Sequence, residues 1–301
     1  MLNFKPITIE AVEELLQFAN PEQTRSCDYT PGNLIMWARF MDYRYAIAHD
    51  TLFIACKSQD DLKSEAFLPP IGKMSLSESI AILQAHCDET GNKMRLTAVP
   101  EEFIGEMKTI LPHFECEELE NWSDYVYEIQ KLATLQGKAL NKKRNRYNKF
   151  IIEQPDYTYS RCTDEDITEV VKFLARNREC QNQRSDNMRC YEHWQCMATV
   201  RNLLKYRQPA GVLRINGDII AFTLGEVFGD TLFVHIEKAN HEIAGASEAI
   251  NRMFVNDILA EHPELTYANR EEDLGDPGLR QVKRAYNPVM MINRYEMYAK
   301  E

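Results

Sequence analysis

The sequence has no apolar run approaching the roughly 18 residues that a membrane-spanning helix needs. Its start, MLNFKPITIE, lacks the basic and apolar regions of a signal peptide. Its eight cysteines include no CxxC pair, and no long Gly, Ser or Pro linker interrupts the chain. We therefore expect a cytoplasmic protein without a transmembrane segment, whose thiols are free and mostly buried.

The length suits two domains. The 301 residues, of which 44% are hydrophobic, allow each half of the chain to bury a core of its own. Both halves show the same predicted order of helix, antiparallel strands, long helix, strand, helix and strand. We predict an α/β protein of two tandem domains, residues 1–135 and 136–301, each a mixed sheet flanked by helices.

The last third of the chain has the clearest pattern. Asn216-Gly217 predicts a hairpin turn, and Asp276-Pro277 predicts the start of a helix. A dense polar sequence, Asn269 to Asp273 (NREED), follows a short apolar strand, and open α/β sheets commonly bind ligands at such strand ends. The predicted elements are a strand at 232–237 within the apolar run 231–239, a helix at 246–259, a strand at 266–269, a helix at 277–286 and a strand at 289–298.

Charge is distributed unevenly along the chain. The net charge is −11, but residues 131–150 contain seven basic residues and no acidic one, so the remainder carries −18. Helical spacing would put Lys138, Lys142, Arg146 and Lys149 on one stripe, and we predict that this stripe binds a polyanion. The alternative interpretation is a solvated basic face that balances nearby carboxylates.

Cys190, His193 and Cys196 recur at helical spacing, with Cys180 upstream. A zinc site would need ligands at one of the familiar spacings, and CxxHxxC is not among them. We predict no metal site and interpret these residues as one face of a helix from Met188 to Tyr206.

Three stretches make the chain recognisable: LATLQGKALNKKRNRYNKF (132–150), GEVFGDTLFVHIEKAN (225–240) and YANREEDLGDPGLRQVKRAYNPV (267–289). They resemble the phosphatidylglycerol lysyltransferase C-terminal domain family, and the resemblance extends over essentially the whole chain. It implies two tandem domains of the GNAT-type acyltransferase fold, as in the peptidoglycan-bridge aminoacyltransferases. The characterised branch of the family moves an aminoacyl group from tRNA to a lipid head group.

The chain departs from these relatives at two points. Membrane-embedded synthases carry a transmembrane portion that is absent here, which counts against a lipid acceptor. Acetyltransferases bind the coenzyme A pyrophosphate at a Gln/Arg-x-x-Gly-x-Gly/Ala turn that opens a helix. The corresponding turn here is Glu242-Ile243-Ala244-Gly245-Ala246-Ser247, whose carboxylate and single glycine weaken coenzyme A binding.

Acyl transfer needs a proton acceptor and donors that stabilise an oxyanion. In the GNAT-type fold two strands splay where the acyl group enters, so we expect the site between the strands that end at Glu237 and Asn269. Glu237 and Asp273 are predicted to recognise an ammonium or to act as a base, and His235 is a second candidate base. The predicted substrate-binding residues are Asn269, Arg270, Arg280 and Gly245; the arginines would bind a carboxylate or phosphate, and the glycine would allow a close approach.

A structural role for these residues is the alternative. Arg270, Glu271 and Asp273 would then form an ion-pair network that fixes the strand end, and His235 would be a core histidine.

Three functions remain open. The first is an acyl or aminoacyl transferase whose basic segment binds tRNA and whose acceptor is a small molecule or a lipid head group. The second is a coenzyme A dependent N-acetyltransferase of a small amine, and the third is a non-enzymatic ligand-binding module. The resemblance ranks them in this order, with aminoacyl-tRNA or acyl coenzyme A as the alternative acyl donors and no other cofactor named.

Overall fold

The structure, a computed structural model, describes residues 1–176, 188–202, 205 and 208–300. In chain order, its strands are β1 (Lys5–Pro6), β2 (Arg44–Ala48), β3 (Thr51–Lys57), β4 (Glu65–Phe67), β5 (Ile71–Gly72), β6 (Arg95–Pro100), β7 (Phe114–Glu118), β8 (Asp124–Glu128), β9 (Tyr157–Arg161), β10 (Ala210–Ile215), β11 (Asp218–Phe228), β12 (Thr231–Ala239), β13 (Tyr267–Asn269), β14 (Met290–Ile292) and β15 (Arg294–Ala299). Its α-helices are α1 (Val12–Leu16), α2 (Pro31–Met41), α3 (Leu76–Thr90), α4 (Glu101–Ile110), α5 (Ile129–Thr134), α6 (Asn141–Glu153), α7 (Ile167–Arg176), α8 (Met188–Arg201), α9 (Ala246–Glu261) and α10 (Pro277–Arg284). Within these described residues, no helix is long and apolar enough to cross a membrane.

The chain divides into two compact units that interleave along the sequence. Unit 1 contains residues 1–124, 272–276 and 291–301, and unit 2 contains residues 125–271 and 277–290. This division differs from the predicted boundary between residues 135 and 136. Unit 2 begins earlier than predicted because β8 pairs with β13 in the second sheet. Unit 1 includes the end of the chain because the strand predicted at 289–298 is two strands, of which β14 belongs to the second sheet and β15 to the first.

Unit 1 is built on a sheet with the strand order β1-β2-β3-β4-β6-β15-β7, and β5 pairs with β3. β15 lies between β6 and β7 and pairs antiparallel with both. Met297 of β15 is fully buried in a core that includes Phe53 and Leu96 from the sheet, Leu83 from α3 and Met107 from α4. The late segment of the chain therefore completes the sheet of unit 1.

Unit 2 is built on a sheet with the strand order β14-β8-β13-β12-β11-β10-β9. β12 and β13 run parallel, whereas the pairs along β12-β11-β10-β9 are antiparallel. Asn216 and Gly217 form the predicted hairpin turn between β10 and β11, with left-handed φ angles of 51° and 90°. The prediction of two mixed sheets is confirmed.

α9 is the main helix of the unit 2 core. Its period of apolar residues buries Ala249 and Ile250 against Phe150 of α6, Leu213 of β10 and Ala221 of β11. The helix predicted at 246–259 is thus present, and its first turn lies next to the end of β12 along the chain.

Candidate functional site

The parallel strands β12 and β13 separate before β12 ends. Their pairing runs from Thr231–Tyr267 to Phe233–Asn269, while β12 continues to Ala239 alongside β11. The second half of β12, which carries His235 and Glu237, therefore has β11 as a neighbour on one side and no β13 residue paired on the other. A splayed pair of strands is what the GNAT-type resemblance predicts at this place.

His235 lies at a bulge in β12, where Gly225 pairs with Val234 and Leu224 with Ile236. Its side chain is fully buried, with Nδ1 2.6 Å from Glu271 Oε1 and Nε2 2.6 Å from Glu226 Oε1. Burial lowers the pKa of His235, but the hydrogen bonds to the two carboxylates and their charges raise it to about 10. The ring is then an imidazolium at neutral pH, which does not fit the predicted role of a base.

Glu237 is held by two side chains. Arg270 Nη2 donates a hydrogen bond to its Oε1 at 2.7 Å, and Asn251 Nδ2 donates one to its Oε2 at 2.8 Å. Only 14% of the Glu237 side chain and 8% of the Arg270 side chain are exposed. This geometry makes Glu237 a positioning residue that orients Arg270 and Asn251.

The guanidinium of Arg270 lies among aromatic rings. Its central carbon is 4.6 Å from the ring centre of Tyr286 and 5.7 Å from that of Tyr127. Burial lowers the pKa of Arg270, but the charge of Glu237 more than offsets this, so the pKa is raised and the side chain stays cationic. Lys283 of α10 fixes the backbone beside it, because its Nζ donates to the carbonyl oxygens of Arg270 at 2.6 Å and Glu271 at 3.0 Å.

A second ion pair lies at the first turn of α9. Lys143 of α6 is buried, and its Nζ donates to Glu248 Oε1 at 3.2 Å and lies 4.1 Å from the ring centre of Tyr286. Burial lowers the pKa of Lys143, and the charge of Glu248 only partly opposes this. Arg146, which is largely exposed, approaches the same Glu248 oxygen at 3.5 Å.

These contacts link residues of α6, β12 and α9, of the loop after β13 and of the turn after α10 into one group, which we call the polar cluster. It consists of Lys143, Glu237, Glu248, Asn251, Arg270 and Tyr286. All six residues belong to unit 2.

Four atoms of the polar cluster are buried and lack a hydrogen-bond partner among the described residues: Glu248 Oε2, Asn251 Oδ1, Arg270 Nη1 and Tyr286 Oη. Each such atom costs about 1–3 kcal/mol unless a ligand or water satisfies it. Glu248 and Asn251 offer acceptors, while Arg270 and Tyr286 offer donors. The matching ligand is a small group that has an ammonium close to a carbonyl or carboxylate oxygen.

Gly245, predicted to let a ligand approach the turn before α9, instead has protein against it. It has a left-handed φ of 85°, and an added Cβ would lie 2.3 Å from the carbonyl oxygen of Arg146 and 2.8 Å from the Cβ of Phe150. The backbone of α6 therefore explains the glycine, because it packs where a side chain would be.

The other predicted site residues have different surroundings. Asn269 is buried, and its Oδ1 accepts a hydrogen bond from the Glu271 amide at 2.7 Å, so it shapes the loop after β13. Asp273 belongs to unit 1, and its Oδ1 accepts from the Gly275 amide at 2.9 Å. Arg280 lies on α10 and is half-buried. The hydrogen bonds of Asn269 and Asp273 to backbone amides thus shape the loop that follows β13.

The basic segment is only partly helical. α6 begins at Asn141, so Lys138 precedes it in a turn, where the chain has a left-handed φ at Leu135 and Gly137. The prediction that four cations lie on one helical stripe is therefore wrong for Lys138, which lies outside the helix. Lys138, Lys142, Arg146 and Lys149 are nevertheless all exposed, and Lys149 pairs with Glu153 at 3.6 Å.

Sequence reasoning missed Lys143, Glu248, Asn251 and Tyr286 as site residues. One signal was available for Lys143, since it shares a helical face with Tyr147 and Phe150 at spacings of four and seven residues. A lysine on the apolar face of a helix needs a buried partner. No pattern in the sequence identifies that partner as Glu248, which is 105 residues away.

One group in unit 1 has the composition of a metal site. Ligand atoms of Cys27, Asp124 and Glu272 lie within 4.8 Å of one another, and this is the one such group among the described residues. Arg294 Nη2 lies among them, 2.5 Å from Asp124 Oδ1 and 3.1 Å from Cys27 Sγ. The guanidinium thus supplies the positive charge that a metal ion would otherwise bring.

The cysteine predictions have a mixed outcome. Cys56, Cys87, Cys116 and Cys162 are free thiols, whereas Cys190 is disulfide-bonded. Cys180, considered as a fourth zinc ligand, lies outside the described residues.

Comparisons with known proteins agree with the resemblance seen in the sequence. A family model described as phosphatidylglycerol lysyltransferase, C-terminal, matches residues 20–298. A structure of a conserved protein of unknown function from Bacteroides thetaiotaomicron VPI-5482 is 30% identical, covers 100% of both chains and superposes with a TM-score of 0.89. The structure of L-PGS from Bacillus licheniformis is 16% identical, with a TM-score of 0.65, and the match covers 96% of this chain and 92% of that chain.

A further relative matches only in part. An uncharacterised protein of Mycoplasmoides gallisepticum is 24% identical over 183 residues, which are 58% of this chain and 56% of that protein. The prediction of a GNAT-like acyltransferase fold is confirmed by the structural match to L-PGS.

Proposed function

Because the chain belongs to the phosphatidylglycerol lysyltransferase C-terminal family, we propose that it is an aminoacyl transferase that takes its acyl group from an aminoacyl-tRNA. The observation that carries this proposal is the set of four unpaired buried atoms in the polar cluster. An aminoacyl ester has both features that these atoms require, an α-ammonium and a carbonyl oxygen one carbon away.

The two halves of the polar cluster would bind the two ends of the aminoacyl group. Glu248 Oε2 and Asn251 Oδ1 accept hydrogen bonds from the α-ammonium, while Lys143 neutralises the other oxygen of Glu248. Arg270 Nη1 and Tyr286 Oη donate to the carbonyl oxygen. Glu237 holds Arg270 and Asn251 from behind, so that both atoms keep their direction.

The same donors would assist the chemistry. An amine or hydroxyl of the acceptor attacks the ester carbon, the bond to the ribose oxygen of tRNA breaks, and the acceptor's proton passes to that oxygen. The carbonyl oxygen carries negative charge in the tetrahedral intermediate. A buried guanidinium and a phenol aimed at this oxygen would stabilise its negative charge in the intermediate more than they stabilise the neutral carbonyl oxygen of the ground state.

The partners follow from the donor. The tRNA phosphates would be bound by four exposed cations, Lys138, Lys142, Arg146 and Lys149, in a protein whose residues outside 131–150 carry a net negative charge. The acceptor is an amine or hydroxyl of a small molecule or a lipid head group. A charged tRNA as donor would put the reaction in the cytoplasm.

Coenzyme A is the less favoured donor. Its pyrophosphate would need the turn before α9, and the carbonyl oxygen of Arg146 and the side chain of Phe150 already pack against Gly245 there. Glu242 in the same turn is exposed and would add repulsion.

The test compares donors and one substitution. We expect wild-type protein to bind charged tRNA more tightly than the same tRNA without its amino acid, because only the former fills the polar cluster. Glu248→Gln should lower the ratio of the affinities for charged and uncharged tRNA at least tenfold, since it removes the negative charge that binds the ammonium. Filter binding with aminoacyl-tRNA stabilised against hydrolysis measures both values.

The matched control is Glu242→Gln, which removes the same charge from an exposed position six residues earlier. It should leave the preference unchanged. Equal binding of charged and uncharged tRNA by the wild type would contradict the proposal, and thermal protection by acetyl coenzyme A alone would favour the acetyltransferase instead.

A further inference from the structure

A groove of about 570 Å³ on unit 2 lies apart from the residues of the polar cluster. Its lining comes from α6, β9 and α9, and it includes Tyr147, Tyr157, Tyr159, Arg252, Asn256 and Asp257. Three tyrosines and an arginine in one groove are unusual for a surface that only covers a core. We call it the tyrosine groove.

Arg252 is fixed in place but retains donors. Its guanidinium carbon lies 4.3 Å from the ring centre of Tyr147, and its Nε donates to the carbonyl oxygen of Ala133 at 2.9 Å. Within the described part of the chain, no side chain or backbone oxygen accepts from its two terminal nitrogens. Those nitrogens can therefore bind a phosphate or the edge of a base.

The acidic residue of the groove is already neutralised. Asp257 accepts a hydrogen bond from the Tyr159 hydroxyl at 2.8 Å and pairs with Arg161. It would therefore repel an anion far less than a solvated carboxylate does. The half-buried rings of Tyr147 and Tyr157 provide flat apolar faces beside the guanidinium.

The connection with the basic segment points to the class of ligand. Tyr147 lies on α6, the helix that also carries the exposed cations Lys142, Arg146 and Lys149. Aromatic faces that stack bases, with cations that bind the backbone, are the two components of single-strand nucleic-acid recognition.

We propose that the tyrosine groove binds one nucleotide of a single-stranded RNA segment, with the base stacked on the tyrosines and a phosphate on Arg252. The identity of that RNA as the tRNA donor rests on the proposed function. The groove itself recognises a base with a phosphate, and this chemistry is shared by an RNA strand and a free nucleotide.

The experiment uses the full chain and an unacylated single-stranded RNA oligonucleotide, with fluorescence anisotropy as the readout. Arg252→Gln and Tyr147→Leu should each weaken binding about tenfold, because the first removes the contact to the phosphate and the second removes a stacking surface. Tyr147→Phe keeps the ring and should bind as the wild type does. Comparing the two Tyr147 variants isolates the loss of the ring, and the melting temperatures of both Tyr147 variants show whether either change impairs folding.

Lys172→Gln is the control for charge, since Lys172 is an exposed cation of α7 in the same unit. It should change affinity far less than Arg252→Gln. The second arm of the experiment uses AMP as a competitor of the labelled oligonucleotide. If AMP displaces it only at concentrations far above those at which unlabelled oligonucleotide does, an RNA strand is the ligand. Competition by AMP as strong as that of the oligonucleotide, with the same losses in the variants, would overturn the RNA assignment.

Wild-type affinity in both Arg252→Gln and Tyr147→Leu would overturn the groove as a nucleotide site. That result would leave the preference for charged over uncharged tRNA unaffected, because the preference depends on the polar cluster. The two proposals therefore fail independently.

Discussion

His235 owes its charge to two carboxylates that are distant from it in the sequence. Glu226 and Glu271 each accept a hydrogen bond from one ring nitrogen, so the buried group carries one positive and two negative charges. Glu271 directly follows Arg270, and the imidazolium therefore anchors the loop that carries the guanidinium of the polar cluster. A buried cation with these partners is expected to matter for stability and for the position of Arg270.

Replacing His235 by Gln should destabilise the protein by roughly 3–5 kcal/mol, because the two carboxylates then lose the imidazolium that bridges them. Chemical denaturation measures this loss. His241→Gln is the control, since His241 is exposed, and it should change the free energy of unfolding very little. An unaltered unfolding free energy in His235→Gln would contradict the bridging role.

The contribution of His235 should also depend on pH. Its folded pKa of about 10 lies above the value of 6.5 expected when unfolded. The stabilisation is therefore fully present below pH 6.5 and is lost as the pH rises towards 10. As the pH is raised from 6.5 to 10, the free energy of unfolding should therefore fall more for the wild type than for His235→Gln. Chemical denaturation of both proteins at a series of pH values measures this difference.

The sequence predicted part of the candidate site, and the missing part has a physical cause. Glu237 and Arg270 were found because they are polar residues directly after apolar strands. Lys143 and Glu248 were missed because their pairing is made by packing between α6 and α9, not by spacing. His235 was found, but its charge could not be predicted without Glu226 and Glu271.

The contact between α6 and the turn before α9 positions Lys143 beside Glu248 in the polar cluster. Lys143 and Glu248 lie on opposite sides of it, and Gly245 lies within it. Gly245 both adopts a left-handed φ and leaves room for the α6 backbone. Two separate requirements thus fall on one residue.

Gly245→Ala should destabilise the protein by about 2–5 kcal/mol, from backbone strain together with overpacking against Arg146. Gly217→Ala is a matched control, because Gly217 has a similar φ of 90° but no atom within 4 Å of the added Cβ. It should cost only the strain, about 1 kcal/mol. Equal losses of melting temperature in both variants would mean that α6 yields at this contact.

The helices and strands were predicted well where the apolar period is long. β12 begins one residue before and ends two residues after the predicted strand at 232–237, and α9 ends two residues beyond the predicted 259. The last strand was predicted as one because apolar residues recur between 289 and 298 on both sides of Asn293 and Arg294. Nothing in that pattern indicates that one strand ends at Ile292 and that another begins at Arg294 in a different sheet.

The two units exchange segments, and this has consequences for how each one is completed. Unit 1 needs residues 291–301, which follow all of unit 2 in the chain. Arg294 is fully buried there, 3.0 Å from Asp28 and 2.5 Å from Asp124, and Met297 is part of the core. The late segment thus supplies both an ion pair and apolar packing.

Removing residues 294–301 should leave unit 1 without its strand between β6 and β7. We expect residues 1–124 to lose most of their protection against hydrogen exchange, while residues 125–271 keep theirs. A shorter truncation, of residues 300 and 301 only, should leave both unchanged, because Lys300 is largely exposed. Equal protection of residues 1–124 in the longer truncation would show that β6 and β7 do not depend on β15.

The position of β15 also sets an order of events on the ribosome. Asp124 and its partner Arg294 are 170 residues apart, so at about 5–20 residues per second the nascent chain waits roughly 10–35 seconds between them. During this time the strands of unit 2 have all emerged, whereas the sheet of unit 1 still lacks an inner strand. The part of the protein made first is therefore finished last, and its open edges at β6 and β7 are the surfaces that a chaperone would need to cover during synthesis.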